Sequence, residues 1–196
     1  MLSLSACSEK SANTETTKAA TQPTAEAVAP TMHATVISVN GSSSVRFGNF
    51  ETTIPTGFKV LSVADNTLSI GSEDGECVIG IFAADISMLT EELAAAYVPT
   101  MYETFATEGA VRTEGKQMDG IVGPFDVKYD LYAEESSDIG STINIDTALT
   151  DSWYCYMIMM RCNSGSGKTS EYTNAFAEFF GYAEYIGGTP RFEFVQ

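Results

Sequence analysis

The stretch that most restricts the fold of this chain is DSWYCYMIMMRC, residues 151–162. Its side chains are apolar at odd and even positions alike, and in a strand these two sets point to opposite faces of the sheet. Such a strand lies in the middle of a sheet and is covered on both faces. The sequence therefore predicts a layered domain with structure on each side of a central sheet.

The run GPFDVKYDLYAEE, residues 123–135, alternates instead. One set of its side chains is apolar (Phe125, Val127, Tyr129, Leu131 and Ala133), and the other is mostly charged (Asp126, Lys128, Asp130 and Tyr132). A period of two predicts a half-buried antiparallel strand with one face in water. Residues 141–149, STINIDTAL, follow as a further strand.

Strands are also expected in the first part of the domain. Residues 44–63 are apolar and aromatic around Pro55-Thr56-Gly57, which indicates two strands joined by a turn. Residues 66–85 indicate a hairpin with its turn at residues 72–75.

Two segments have helical patterns. Residues 87–109 predict a helix with Thr90 as its N-cap, a kink at Pro99 and an end at Gly109. Residues 170–186 predict a second helix with an apolar stripe formed by Tyr172, Phe176, Phe179, Phe180 and Ala183. The order of strands, helix, three strands and helix predicts an α+β domain: a largely antiparallel β-sheet flanked by helices.

Residues 50–60, FETTIPTGFKV, resemble the opening F-x-x-x-x-P-x-G-F/W of the PsbP-like fold. That fold is shared by the extrinsic P subunit of photosystem II and the yeast Ran-binding import factor. The resemblance implies an α/β/α sandwich over about residues 45 to 187. It carries no functional residue over to this chain, because a fold does not determine function.

The N-terminus resembles a bacterial lipoprotein signal. Leu4-Ser5-Ala6-Cys7 matches the lipobox, in which the cysteine receives a lipid and becomes the new N-terminus. We expect residues 1–7 to be the remnant of a signal peptide and residues 8–44, rich in Ser, Thr, Ala and Pro, to be a disordered tether. Residues 45–196 then form one globular domain, held at the extracytoplasmic face of the cell membrane by lipid on Cys7.

The charge of the chain restricts its partners. Its 26 acidic and 10 basic residues give a net charge of -16, so a nucleic acid would be repelled. A basic peptide or a divalent cation would be attracted.

Three cysteines remain if Cys7 is lipidated, so one disulfide at most forms within the domain. Cys155 and Cys162 are seven positions apart on one predicted strand and should face opposite sides of the sheet, which prevents a bond between them. Cys77 can therefore pair with either of them. No two cysteines have the C-x2-C spacing that is typical of a zinc site.

Residues 162–170, CNSGSGKTS, resemble a phosphate-binding loop, with Gly167, Lys168 and Thr169 as candidate ligands. However, the first glycine of the G-x-x-x-x-G-K-[ST] pattern falls on Cys162, whose side chain obstructs the close approach of a phosphate. The preceding strand is also predicted to be antiparallel. We therefore interpret the segment as a loop between a strand and a helix.

Acidic clusters are candidates for calcium ligands: Glu73, Asp74 and Glu76 in one, and Glu134, Glu135 and Asp138 in the other. Neither has the spacing of an EF-hand, and turn-forming, solvated charge is the better explanation of both. No G-x-S-x-G nucleophile motif occurs, and the one histidine, His33, lies in the predicted tether. No cofactor is predicted.

These observations favour a lipid-anchored binding or accessory domain, without catalysis, for an envelope protein or a small ligand. The alternative is a carboxylate- or calcium-dependent cell-surface enzyme, and nucleotide binding at residues 162–170 comes third. The two main hypotheses differ in what they require. A binding module should expose an apolar patch, whereas an enzyme should hold two carboxylates with raised pKa values in a cleft.

Overall fold

The computed structural model describes residues 37–40, 43–97, 111–113, 115–137, 140–151 and 153–187. Within these residues the chain forms twelve strands, two α-helices and a short 3-10 turn. The strands are β1 (Ile37–Asn40), β2 (Ser44–Phe47), β3 (Phe50–Thr53), β4 (Phe58–Ala64), β5 (Thr67–Ser72), β6 (Cys77–Asp85), β7 (Val111–Arg112), β8 (Lys116–Val122), β9 (Phe125–Ser136), β10 (Gly140–Thr150), β11 (Tyr154–Asn163) and β12 (Glu184–Tyr185). The helices are α1, described over residues 91–97, and α2 (Thr169–Gly181).

The strands form two antiparallel sheets. The large sheet has the order β4-β5-β6-β11-β10-β9-β7, and β8 also pairs with β9. The small sheet has the order β1-β2-β3-β12. The α+β class and the antiparallel pairing are confirmed. The sequence predicted one sheet, and the structure has two because the chain leaves β3 through Ile54 and Pro55 and enters the large sheet at β4.

β11 lies at the centre of the large sheet, between β6 and β10. Its even-numbered side chains, from Tyr154 to Cys162, belong to the main core. Its odd-numbered Cys155 and Met157 pack with Ile86 and Ala94 in a second cluster. Both faces of this strand are therefore covered, as the sequence predicted. We call the side of the main core the α2 face and the opposite side the α1 face.

The α2 face is covered by α2 and the small sheet. Tyr172, Phe176, Phe179 and Phe180 of α2 are all buried, as the apolar stripe predicted. Phe47 and Phe50 of the small sheet pack edge-on against Tyr156 of β11. The helix ends at Gly181, before the predicted end, and the chain then forms β12 beside β3.

The elements between the two helices differ in number from the prediction. Five strands are described there, since β7 and β8 precede the three that were expected. β8 contains Lys116, Asp119 and Gly120, and this composition hides its alternation. Ile37 is buried in the main core, so residues 37–40, which were assigned to the tether, are part of the fold.

The start of α1 also follows the sequence. Thr90 Oγ1 accepts a hydrogen bond from the backbone N–H of Leu93 at 3.4 Å, which makes Thr90 the N-cap. Pro99 and Gly109 lie outside the described residues. Among the described residues, none of the helices has the length and apolar character needed to cross a membrane.

Candidate functional site

The loop at residues 162–170 holds its lysine in an ion pair. Cys162 is buried and bonded to Cys77, and residues 164–166 form the 3-10 turn. Gly167 has φ of 72°, and Thr169 is the first residue of α2. The Lys168 ammonium donates to Asp74 Oδ2 at 2.6 Å. The charge offered to a phosphate is thus already neutralised by a carboxylate on the β5–β6 turn.

Asp74 accepts hydrogen bonds from four groups. Ser72 Oγ (2.6 Å) and the backbone N–H of Glu76 (3.2 Å) donate to Oδ1, and Lys168 and the Tyr172 hydroxyl (2.7 Å) donate to Oδ2. The Lys168 ammonium, followed by the two hydroxyl groups, holds the pKa of Asp74 well below its usual value. The same contact raises the pKa of Lys168. These bonds tie the β5–β6 turn to the start of α2.

The other acidic candidates do not converge. Glu73 is exposed, while Glu76 accepts a hydrogen bond from Asn163 at 2.7 Å. Glu134 and Glu135 are neighbours on β9, so they point to opposite faces; Glu134 is buried and Glu135 exposed. Asp138 lies outside the described residues. Across the parts of the chain that the structure describes, no group of three or more His, Cys, Asp or Glu side chains could hold a metal ion.

Cys77 and Cys162 form the disulfide, and they are directly opposite each other in the register of β6 and β11. Cys155 is a free, buried thiol on the α1 face. Burial raises the pKa of Cys155 to about 12. This thiol is therefore protonated and unreactive at neutral pH. Cys7 and His33 lie outside the described residues.

A buried carboxylate joins the two sheets. Asp151 accepts backbone hydrogen bonds from Trp153 and Tyr154 and side-chain bonds from Asn49 and the Tyr156 hydroxyl, at 2.8 to 3.0 Å. Burial raises the pKa of Asp151 despite these donors. The Tyr156 hydroxyl in turn accepts the Asn49 N–H at 3.0 Å. Each partner is a protein group, so the arrangement fastens the β2–β3 turn to the end of β10.

A second polar cluster lies on the α1 face. Asn144 is the centre: its Nδ2 lies 3.5 Å from Glu134 Oε2, and its Oδ1 accepts from Arg161 Nε at 3.1 Å. Arg161 Nη2 lies 3.9 Å from the same Glu134 oxygen. Glu134 Oε1 is buried without a hydrogen-bond partner. This cluster compensates the buried charge of Glu134 in part.

Among the described strands of the large sheet, most of the large exposed apolar side chains lie towards its β4 end, and Ile121 of β8 lies at the other end. Leu61 of β4 is 51% exposed and Val78 of β6 is 38% exposed. Gly71 of β5 lies between them, because it is paired with Val78 and because a Cβ on Gly71 would lie 2.6 Å from Leu61 Cδ1. Leu61 and Val78 thus lie on either side of the buried Gly71 on the α1 face, and we call these three residues the edge patch.

A β-bulge lies at Leu61 and decides where the residues after it point. The register of β4 against β5 shifts between Val60 and Ser62, so Leu61 is the extra residue. Val63 then lies opposite the buried Leu68 and on the α2 face, where it is still 45% exposed. From residue 61 to residue 64 every side chain of β4 is exposed. Sequence reasoning did not select these residues, although the run FKVLSVA has one charge in seven positions and is apolar enough to attract notice.

The chain is similar to solved structures over part of its length and at low sequence identity. No family model matches the chain, and no curated protein matches it. A protein of Bacteroides thetaiotaomicron is 9% identical with a TM-score of 0.45, over 70% of this chain and 45% of that one. The chain therefore spans less than half the length of that neighbour.

Two further neighbours are Mog1 proteins. Residues 50–60 of this chain resemble the opening of the fold to which the yeast Ran-binding import factor belongs. A variant of the protein Mog1 is 15% identical with a TM-score of 0.44, over 76% of this chain and 97% of that one. The Ran-binding protein Mog1p of Saccharomyces cerevisiae is 18% identical with a TM-score of 0.38, over 70% and 85%. At these values the overlap assigns neither a function nor a partner to this chain.

Proposed function

We propose that this protein is a binding module of the extracytoplasmic membrane face, anchored by lipid on Cys7, which engages an envelope protein and performs no catalysis. The observation that carries the proposal is the edge patch. Folding leaves Leu61 and Val78 in water, next to each other and beside an outermost strand. Contiguous apolar surface of this kind marks interaction sites on proteins.

The edge patch suits a protein partner because a protein surface can cover all of it, and the burial of its apolar area stabilises the complex. Burial of apolar surface stabilises a complex by about 25 cal/mol per Å² before the costs of association. Gly71 contributes by its lack of a side chain, because Leu61 lies over it and presents its own exposed half to a partner. The net charge of -16 favours partners that are basic or neutral at the contact.

Site-specific photocrosslinking of the full chain in its native membrane tests the proposal. The photoreactive residue p-benzoylphenylalanine replaces Leu61 or Val78 in turn. The matched control is Tyr182, which is 79% exposed and lies just after α2. We expect a discrete protein adduct from positions 61 and 78 and none from position 182. The same adducts from all three positions, or none from 61 and 78, would refute it.

A further inference from the structure

We infer that β4 binds an extended segment of the partner protein as an additional strand of the large sheet, and that this segment has an apolar middle flanked by basic residues. The inference rests on the proposed function and specifies the conformation and the charge of the segment that the partner presents. It follows from the backbone, the side chains and the charges at the β4 end of the sheet.

The position of β4 in the strand order makes backbone groups available along its outer side. Among the described strands, β4 is the outermost of the large sheet and pairs with β5 alone. Alternate residues of an edge strand direct their N–H and C=O groups outward, where another strand can bond them. Seven residues of β4 offer about 24 Å of such edge at roughly 3.4 Å per residue. A polypeptide satisfies these groups along its whole length, which a small ligand does not.

The side chains distinguish β4 from the strand at the other end of the sheet. β8 has the charges of Lys116 and Asp119, and α2 packs beside it, with the Gly123 N–H donating to the Phe180 carbonyl at 2.9 Å. Charges, covering helices and β-bulges are devices that keep edge strands from pairing, and on β4 the bulge is confined to Leu61. β4 has one charge, Lys59, near its start, and its exposed half from residue 61 to residue 64 has none. β1 approaches β4 only where the strand ends, with the Ile37 N–H donating to the Asp65 carbonyl at 3.1 Å.

The charges decide the kind of partner. Asp65 follows β4 directly and is exposed. Glu73 is exposed at the other end of the strand, where its N–H bonds the Gly57 carbonyl at 2.8 Å. Basic residues at the two ends of a bound strand would meet these carboxylates. A second copy of this chain would bring Lys59 towards Asp65 of the first, but the net charge of -16 on each copy opposes their association, so we commit to a basic partner.

The test uses a labelled synthetic peptide of seven alternating valines and threonines with two lysines at each end. Its binding to the full chain is followed by fluorescence anisotropy, and amide hydrogen exchange locates the contact. We expect saturable binding with slowed exchange in residues 58–64. Flanking glutamates instead of lysines should weaken binding at least tenfold at low salt, with a smaller difference at high salt.

Variants separate the edge from the rest of the surface. Leu61→Ser and Val63→Ser should each weaken peptide binding about tenfold, because each removes apolar contact with the added strand. Ile121→Ser is the matched control, since Ile121 is a 48% exposed apolar residue on β8. It should leave binding unchanged. Circular dichroism and the melting temperature establish that all three variants are folded.

Each contrary outcome overturns a particular statement. Equal binding by the lysine and glutamate peptides, or slowed exchange outside β4 only, overturns the inference. Sedimentation that shows a dimer dependent on Leu61 means that β4 pairs with a second copy, and the basic partner is then wrong. Photocrosslinks at positions 61 and 78 without peptide binding at β4 leave the proposed function standing and overturn the inference alone.

Discussion

The disulfide between Cys77 and Cys162 closes a loop across 85 positions of the chain, so its removal should have a large and calculable effect. In the unfolded chain, a cross-link over this distance removes entropy of about 15 cal/mol/K, which is about 4.5 kcal/mol at 25 °C. In the folded chain, the ladder between β6 and β11 already holds the two cysteines opposite each other. We therefore expect reduction to lower the free energy of unfolding by about 4 kcal/mol, most of a typical domain's stability.

Urea unfolding with and without a phosphine reductant measures this change. With a slope of about 2 kcal/mol per molar urea, the midpoint should fall by about 2 M. The Cys155→Ala variant should keep the full shift, because its thiol lies outside the disulfide. The variant with alanine at both Cys77 and Cys162 should unfold early already without reductant and should not respond to it.

A small shift would refute the reasoning if the disulfide is shown to be reduced. Thiol labelling of the denatured chain supplies that evidence, because reduction exposes two further thiols. A midpoint that moves by less than about 0.5 M after complete reduction would mean that the unfolded chain is not appreciably restricted by the cross-link. Retention of structure by the reduced, urea-treated chain would be the physical reason to examine next.

The remaining predictions concern single side chains. Tyr156→Phe removes the acceptor of a buried backbone N–H and should lower the free energy of unfolding by about 1–3 kcal/mol in urea, whereas a change below about 0.3 kcal/mol would contradict the network around it. Asp74→Asn should lower the melting temperature at neutral pH through loss of the Lys168 ion pair. Because the pKa of Asp74 is lowered on folding, this deficit should persist above about pH 4 and disappear as the pH falls through the folded pKa. Glu73→Gln, at the exposed neighbour, is the matched control and should leave the melting temperature unchanged at neutral pH. Cys7→Ser should move the expressed protein from the detergent phase to the aqueous phase of a Triton X-114 extract, and unchanged partition would contradict lipid anchoring.

The central strand and the helices were predictable because the local pattern of apolar residues in each one indicates a single kind of element. β11 is apolar on both faces, and a strand of that kind has no stable place at a solvent-exposed position. Parity along this strand also excluded a bond between Cys155 and Cys162. It did not choose the partner of Cys77, since that depends on the register of β6 against β11. Pairing between distant segments sets that register, and no local pattern records it.

The division into two sheets could not be predicted for a related reason. β3 and β4 have the composition of two strands around a turn, and the same composition is compatible with pairing in one sheet or in two. The face on which Val63 lies depends on a single extra residue in the ladder. Without the shift after Val60, Val63 would lie on the α1 face and away from Leu68. A register change of one residue thus determines which side chains are exposed.

The sequence pattern around the second acidic cluster was itself evidence against a calcium site there. Glu134 and Glu135 were grouped as candidate calcium ligands, yet they lie next to each other in a run that alternates from residue 125 onward. Adjacent side chains of a strand point to opposite faces, so a single ion could not be bound by both. The structure shows this separation, with Glu134 buried beside Asn144 and Arg161 and Glu135 in solvent.

Stability and partner binding can be separated at β4 for a physical reason. Leu61 is half exposed, and the part of its side chain that is buried covers a glycine rather than the core. Its replacement by serine therefore removes only the buried half of one side chain, and the free energy of unfolding should fall by about 1 kcal/mol. A bound strand would cover the exposed half, so the same substitution should have its larger effect on binding. A substitution with small effects on folding and large effects on association is the signature expected of an interface residue, and the opposite ratio at Leu61 would mean that this leucine is part of the fold alone.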